Sequence, residues 1–517
     1  MKCRTSEIYI FENGEHGEDI LTYRILHERS NKIARLFVDK GIGKGDTFAI
    51  YMRNHPEFIC GMMAGVTIGA IAVPVDPRNK GERLKFLLNN CKARAVIVSG
   101  ECLEDLEAVI ADVPTLRFIT VAYQPGQNIA VSTKYHALNE VMGKDTWKPV
   151  EQQIMDVRHP MQIIYTSGTT GDPKGVMIRN NRTGLFNILN SIVWKYKSDD
   201  ILYNGLSLTH GNAQAVTLFP PSVWGSRRFS ARDLQKAESG TSAASMDARP
   251  SLSWEVWRPA STTSRRNPMT ETIPSRLSSV PERRMAIWEG FEKRFNVQIL
   301  EWYGAVEGGF AYKPLGQGPV GSFGKPVPGV MEFKVVDDND NPVLAGQTGE
   351  LISRMIRGDT KVDYLGLPEE SQDKTKGGWL RSGDMVHKDE NGWYFFDFRK
   401  GTELRRFGDF IQPDFVESII GRHPDVSEAC VYGIPAASGS PGESDLVAAI
   451  APFEDKVIDP ASVYQKCKNE LQGNFIPSYL HVVKEIPKTI TEKALTRVLK
   501  EMFEKKEGDI YKYEDFK

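Results

Sequence analysis

Cysteine is scarce and scattered. The 517 residues hold six, Cys3, Cys60, Cys91, Cys102, Cys430 and Cys467, with no C-x-x-C pair among them. Six scattered cysteines in so long a chain argue against a disulfide framework and against a thiolate zinc cluster, and a reducing, cytoplasmic setting is expected. An excess of either charge is lacking too: Lys plus Arg number 65 against 67 for Asp plus Glu, a formal net charge of -2. No overall basic field draws such a chain to nucleic acid or to an anionic membrane, and neither is expected as a partner. The opening MKCRTSEIYIFENGEHGEDI lacks the apolar core of a signal peptide. The most apolar stretch, Phe58 to Val75, carries four glycines or prolines and closes on a β-run, so it reads as a buried helix and strand rather than an integral membrane segment.

What is present is a folded composition, 40% hydrophobic and 26% charged, in a chain too long for one compact domain. The first half alternates periods. Leu26, Ile33, Leu36 and Phe37 recur at helical spacing up to Gly41, and TFAIYM follows as a strand. A helix over Phe58–Ile71, the strand AIAVPVD, the helix ERLKFLLNNC and the strand ARAVIVS continue the alternation. Such spacing suits βαβ crossovers and a sheet that is parallel at its centre. Beyond Arg399, FVESIIGRHPDVSEACVYGIP, DLVAAIAPF, SVYQKCKNELQGNF and ALTRVLKEMFEKKEG predict a smaller α+β unit of about a hundred residues. The expected fold class is α/β, with a large N-terminal domain of βαβ-type sheets layered with helices, residues 1–398, and a small C-terminal α+β domain, residues 399–517.

The segment with most chemistry is IIYTSGTTGDPKGVMI, Ile163 to Ile178. A strand runs into a loop of small hydroxyl and glycine residues, then a lysine, then a second strand. Glycine lets backbone N–H groups close on an anion, Ser and Thr add donors, and Lys174 adds a mobile positive charge. Any single Gly-Thr pair is an ordinary hairpin turn; the whole string makes a phosphate cradle. It is not a Walker A loop, because Gly175 and a β-run follow the lysine.

This string resembles the signature [ST]-[SG]-G-[ST]-T-G-x-P-K-G of the adenylate-forming superfamily: acyl-CoA synthetases, luciferases and peptide-synthetase adenylation domains. The match runs from Thr166 through Ser167, Gly168, Thr169, Thr170, Gly171 and Lys174 to Gly175. Further motifs follow in order. Tyr303-Gly304-Ala305-Val306-Glu307 is similar to Y-G-x-T-E, which implies that the Tyr303 ring stacks on adenine and that Glu307 holds Mg²⁺ on the phosphates; Val306 replaces the usual Thr and with it one hydroxyl contact to the α-phosphate. WLRSGD resembles W-x-x-[ST]-G-D and implies that Asp384 accepts both ribose hydroxyls. Arg399 matches an arginine that contacts ribose and phosphate, and Gly401 stands at the hinge position, where Asp or Lys is usual. IPKTITEKALTR resembles P-[KR]-T-x-[ST]-G-K and puts Lys493 in the catalytic lysine's place, with Glu492 as in crotonobetaine/carnitine-type ligases. His210, in LSLTHGNAQ, matches an aromatic-or-His position at the acyl and pantetheine passage.

The resemblance, strongest to crotonobetaine/carnitine-type and fatty-acid acyl-CoA ligases, implies a two-step enzyme. ATP, Mg²⁺ and a carboxylic acid would give an acyl-adenylate and pyrophosphate at the N-terminal AMP-binding domain. A mobile C-terminal domain carrying Lys493 would then admit CoA. The expected acid is small or medium, of carnitine-like or fatty type; oligomeric state is not legible. Two alternatives stay open: an adenylation enzyme charging a carrier protein, and an inactive relative that binds nucleotide. Ending soon after the lysine motif, with no carrier module, favours CoA.

One stretch fits none of this. Pro221 to Met285 holds ten arginines, one lysine and thirteen serines, with no sustained period of either kind. Family-like patterning stops near LTHGNAQAVTLFP and resumes at AIWEGFEKRF. As a folded core it would bury several arginines at high cost. The expectation is a frame-shifted reading with compensating errors at its two ends, which would leave the chain as read unstable or inactive; a disordered insertion is the rival.

Overall fold

A computed structural model describes residues 7–12, 18–123, 135–144, 148–154, 156–166, 173–182, 184, 192–195, 201–204, 206–219, 228–231, 249–251, 255–257, 292, 298–400, 404–406, 409–411, 413–437, 444–471, 473–488 and 494–516. The alternation read from residues 23–99 is present. Helix α1 (Tyr23–Asp39) begins where Thr22 Oγ1 accepts the Ile25 N–H, and it buries Ile33, Ala34 and Phe37. It is followed by β1 (Thr47–Tyr51), α2 (Pro56–Ile68), β2 (Ile71–Val75), α3 (Gly81–Asn90), β3 (Ala95–Ser99), β4 (Phe118–Ala122), β5 (His136–Ala137), β6 (Pro160–Tyr165) and β7 (Gly175–Arg179). The helix expected to reach Ile71 is corrected: Gly69 at φ +73° takes the left-handed turn that ends α2 at Ile68 and frees Ile71 to start β2.

These strands form one sheet in the order β5-β4-β3-β1-β2-β6-β7, parallel at every pairing except the closing β6–β7 hairpin. Both faces are covered. Phe48 and Ile50 of β1 join α1 and α2 in one core, whereas Ala49 and Tyr51 join Leu84, Leu87 and Leu88 of α3 in the other. Burial on both sides is why these strands read as unbroken apolar runs.

A second sheet is wholly antiparallel: β8 (Trp302–Gly304), β9 (Phe310–Tyr312), β10 (Ser322–Pro326), β11 (Met331–Val336), β12 (Gly349–Met355), β13 (Leu380–Lys388) and β14 (Tyr394–Arg399), in the order β8-β9-β10-β14-β13-β12-β11. A third joins Gln298–Leu300, Glu255–Trp257, Arg249–Ser251, Ile201–Asn204, Arg228–Ala231, Glu7–Glu12 and Glu18–Thr22 in that order. Three of its strands come from the stretch that shows no sustained period, Pro221 to Met285. At three or four residues each, they are too short to leave a period in the sequence.

The smaller C-terminal unit contains β15 (Val426–Pro435), β16 (Ser444–Pro452), β17 (Tyr479–Val482) and β18 (Asp509–Lys512) in sequential order. Helices Pro413–Ile420 and Pro460–Glu470 bury Val416, Ile420, Val463 and Cys467 against this sheet, and Leu499 of helix Thr496–Glu504 packs with Cys430 and Tyr432. The chain is thus a mixed α/β protein with a large N-terminal and a smaller C-terminal domain. Among the described residues no helix is long and apolar enough to cross a membrane.

Candidate active site

The cradle grows from the C-terminal end of β6. Its base is closed by the Thr166 N–H donating to the Lys174 carbonyl at 3.0 Å, directly beyond the Tyr165–Gly175 strand pair. Ser167, Gly168, Thr169, Thr170 and Gly171 lie outside the described residues. The neighbouring parallel strand β2 ends at Val75, so Asp76 and the end of β6 share the carboxyl edge of the sheet, where open α/β sheets bind ligands. Residues 362–365 run along β7 as an extra strand segment. Val176 bridges Tyr364, the Met177 N–H donates to Asp363 at 2.8 Å, and the Leu365 N–H donates to Gly175 at 2.8 Å. The Tyr364 ring then lies 5.4 Å from Lys174 Nζ.

Glu307 is presented by a tight turn after β8, in which Ala305 and Gly308 exchange backbone hydrogen bonds of 3.2 and 3.1 Å. Its Oε1 accepts the Tyr364 hydroxyl at 3.0 Å. Arg182, just past β7, donates from Nη2 to the Ala305 carbonyl at 3.4 Å. Burial lowers the Arg182 pKa to about 10, with Glu307 pulling the other way. Val306 packs with Ile164, Val176, Ile178, Val362, Tyr364 and Leu380 in one small core. That apolar setting gives the Thr-to-Val departure a physical reason: the side chain here is part of the packing beneath the site.

Asp384 sits on β13, 6% exposed, and its Oδ2 accepts the Tyr303 hydroxyl at 2.5 Å. Gly383 beside it has φ +75°, a left-handed conformation open to glycine, and its carbonyl accepts the Lys400 N–H at 2.8 Å. Strand register sets Asp384 opposite Arg399 of β14. The side chain of Arg399, and Gly401 and Lys493 entirely, lie outside the described residues. The flanks of the lysine loop are described: Lys488 and Ala494 form a β-bridge, and Lys488 Nζ pairs with Glu428 at 2.5 Å.

His210 opens the segment that leads into a π-helix, Ala213–Leu218. This unusual turn is tied to β6 by Gln162 Nε2 donating to Gln214 Oε1 at 2.7 Å. The preceding Thr209 hydroxyl donates to Asp76 Oδ2 at 3.2 Å, and His210 Nε2 lies 3.9 Å from the same oxygen. Burial lowers the His210 pKa; Asp76 opposes the shift and Arg78 adds to it. A Cβ on Gly211 would sit 3.5 Å from Val306, so the histidine segment adjoins the turn that carries Glu307.

The structure therefore gathers Thr166, Lys174, Tyr303, Gly304, Glu307, Asp384 and His210 around one sheet edge and its antiparallel neighbour. Asp76, Arg182 and Tyr364 were missed in the sequence. Of these only Asp76, a strand-end acid before a proline, carried a local signal. Among the described residues no three His, Cys, Asp or Glu side chains cluster as a metal site. A divalent ion here would rest on Glu307 and on substrate phosphates, the manner in which Mg²⁺ is held by one or two carboxylates, and the residues present fit it.

A strand-end hairpin that carries Thr166 and Lys174, an aromatic ring bonded to a buried carboxylate, and a second carboxylate and a lysine that meet on one tyrosine suit a nucleotide-handling α/β enzyme. Family comparison agrees. The AMP-binding enzyme model matches residues 4–240 and the AMP-binding enzyme C-terminal domain model matches residues 416–493, together more than half of the chain. The chain belongs to the AMP-binding enzymes, the adenylate-forming superfamily. A crotonobetaine/carnitine–CoA ligase of Salmonella heidelberg (strain SL476) is 26% identical over 503 residues, covering 95% of both chains. The anthranilate CoA ligase AuaEII in complex with anthranoyl-AMP superposes with a TM-score of 0.76 at 22% identity, over 97% of this chain and 94% of its own. ATP-bound MatB from Rhodopseudomonas palustris gives 0.75 at 17% identity, over 97% of each chain.

Proposed function

We propose that this enzyme is an AMP-forming acid–thiol ligase that activates a small or medium carboxylic acid with ATP and passes the acyl group to CoA. The observation that carries the reading is the pairing of nucleoside and phosphate residues in one site. Tyr303 and Asp384 are bonded to each other, and Glu307 and Lys174 meet on Tyr364. Tyr303 would offer its ring to adenine, and Asp384 its carboxylate to the ribose. The hydroxyls and N–H groups of residues 166–171, with Lys174, would hold the β- and γ-phosphates, and Glu307 would hold Mg²⁺ against them. When bound, Mg²⁺ supplies neutralisation of phosphate charge. The substrate carboxylate attacks the α-phosphorus, pyrophosphate departs, and the acyl-adenylate remains.

Catalysis in such a step is positioning and charge stabilisation. Lys493 would bridge carboxylate and α-phosphate from the smaller domain, residues 399–517. Rotation about Arg399–Gly401 would then withdraw it and admit the CoA thiol past His210, a cytoplasmic reaction releasing AMP. The relatives named crotonobetaine/carnitine–CoA ligase support a carnitine-like acid, and Gly401 leaves the hinge conformationally permissive.

The test is ATP–pyrophosphate exchange across a carboxylate panel, followed by thioester assay with CoA or a phosphopantetheinyl carrier protein as acceptor. Exchange with at least one acid, and transfer to CoA, are expected. Transfer to the carrier alone would replace CoA as acceptor, and absence of exchange with every acid would leave a nucleotide-binding relative without turnover. In the same assays Lys493→Ala should abolish exchange while largely sparing thioester formation from supplied acyl-adenylate; equal loss in both would remove Lys493 from its role.

A further inference from the structure

Tyr364 is not among the residues that the sequence motifs assign, yet it touches both charged partners of the phosphate site. Its hydroxyl donates to Glu307 Oε1 at 3.0 Å, and its ring lies 5.4 Å from the Lys174 ammonium. It is held there from both sides of its own backbone. Its N–H donates to Ser371 Oγ at 2.9 Å, its carbonyl accepts the Leu367 N–H at 3.1 Å, and its neighbours pair with β7. Asp363 adds an ion pair to Arg179 at 2.5 Å. At 6% exposure, packed with Ile164, Val176, Val306 and Leu380, the ring has little room to turn.

We infer that Tyr364 is a positioning residue that orients the Glu307 carboxylate for the magnesium–phosphate complex with its hydroxyl and poises Lys174 beside the phosphates with its ring. Of the two Glu307 oxygens, Oε1 is bonded to the phenol, which restrains the carboxylate and favours the direction in which Oε2 is offered. The ring face supplies the electrostatic attraction that an ammonium finds over an aromatic, at a site where lysine's flexible stem would otherwise let the charge wander. Groups that orient a ligating carboxylate typically change metal affinity by about 10- to 100-fold when removed. The inference rests on the ligase reading for the identity of the phosphates and the ion.

The hydroxyl and the ring can be removed separately. Tyr364→Phe keeps the ring and its packing and deletes the bond to Glu307; Tyr364→Leu deletes both. ATP affinity is measured by calorimetry with magnesium and again in excess EDTA, alongside the magnesium concentration that half-activates pyrophosphate exchange. Tyr364→Phe should leave metal-free ATP affinity within twofold, lower the magnesium-dependent gain about tenfold, and shift half-activation to higher magnesium by a similar factor. Tyr364→Leu should in addition weaken metal-free binding, because Lys174 loses its seat. A Phe variant that weakens ATP equally in both conditions, or in neither, overturns the inference alone; a wild-type chain with no magnesium-dependent gain overturns the ligase reading and the inference together. Matched thermal melts for Tyr364→Phe and wild type keep a folding defect from imitating the result.

Discussion

Removing the Asp384 carboxylate separates the nucleoside role from simple packing. Asp384 is 6% exposed, its N–H donates to Ser382 Oγ at 2.9 Å, and its Oδ2 accepts the Tyr303 hydroxyl at 2.5 Å. On the proposed reading Asp384→Ala deletes a charged acceptor for the ribose, and it removes the bond to the Tyr303 hydroxyl. A hydrogen bond to a charged group contributes about 1.5–3 kcal/mol, equivalent to roughly 10- to 150-fold in affinity. Calorimetric titration with ATP should show a loss in that range, with a lowered melting temperature from the lost Tyr303–Asp384 bond. Asp384→Asn keeps the shape and an acceptor for Tyr303, so it should restore most of the stability and only part of the affinity. Tyr303→Phe is the decisive control, because it breaks the same bond while leaving the carboxylate for the ribose. If Tyr303→Phe reproduces the whole affinity loss, Asp384 acts by holding Tyr303 and not by binding nucleotide. If Asp384→Ala binds ATP within twofold of wild type, the ribose assignment is wrong.

Val306→Thr should raise the pyrophosphate-exchange rate modestly by returning a hydroxyl to the α-phosphate, at a stability cost of about 1 kcal/mol from its apolar surroundings; a lower rate would show that the hydroxyl turns into the core instead. His55 caps α2 by accepting the Glu57 N–H, and its pKa is lowered to about 4 by burial, with Asp19 opposing and Arg29 adding to the shift. Between pH 6.5 and 4 the unfolded chain takes up a proton that the folded chain refuses, so stability falls with acidification by about 3 kcal/mol from this group. Denaturant titrations should show that acid limb flattened in His55→Asn, which keeps a capping acceptor; an unchanged slope would refute it. The arginine- and serine-rich stretch is tested by peptide mass spectrometry of protein from native cells: the tryptic fragment Ala237–Arg265 is expected to be missing, and its recovery would refute the frameshift.

Much of the fold was legible because its elements are long and carry a clean period. Tyr23–Asp39 announces itself through Ile33 and Phe37, and β1 to β3 through unbroken apolar runs between breakers. The antiparallel sheet of residues 302–399 was legible only through motifs. Strands as short as Trp302–Gly304 hold too few residues for alternation to show, and Asp384, which reads as a turn acid after glycine, lies inside the nine-residue strand Leu380–Lys388. Tyr364 and Arg182 were invisible for a different reason. Their partners Glu307 and Ala305 are 57 and 123 residues away in sequence, and only the fold brings them together.

The small core of Ile164, Val176, Ile178, Val306, Val362, Tyr364 and Leu380 draws on five stretches of chain: β6, β7, the Ala305–Gly308 turn, residues 362–365 and the start of β13. Lifting any one of them away wets the same few side chains, so none of the five gains by opening alone. Amide exchange would accordingly report a single opening energy for β6, β7, the Ala305–Gly308 turn and the start of β13, with protection lost from all of them in the same denaturant interval. The turn that carries Glu307 and the strands that flank Lys174 thus rest on one shared core, and a mutation that loosens either is felt at both.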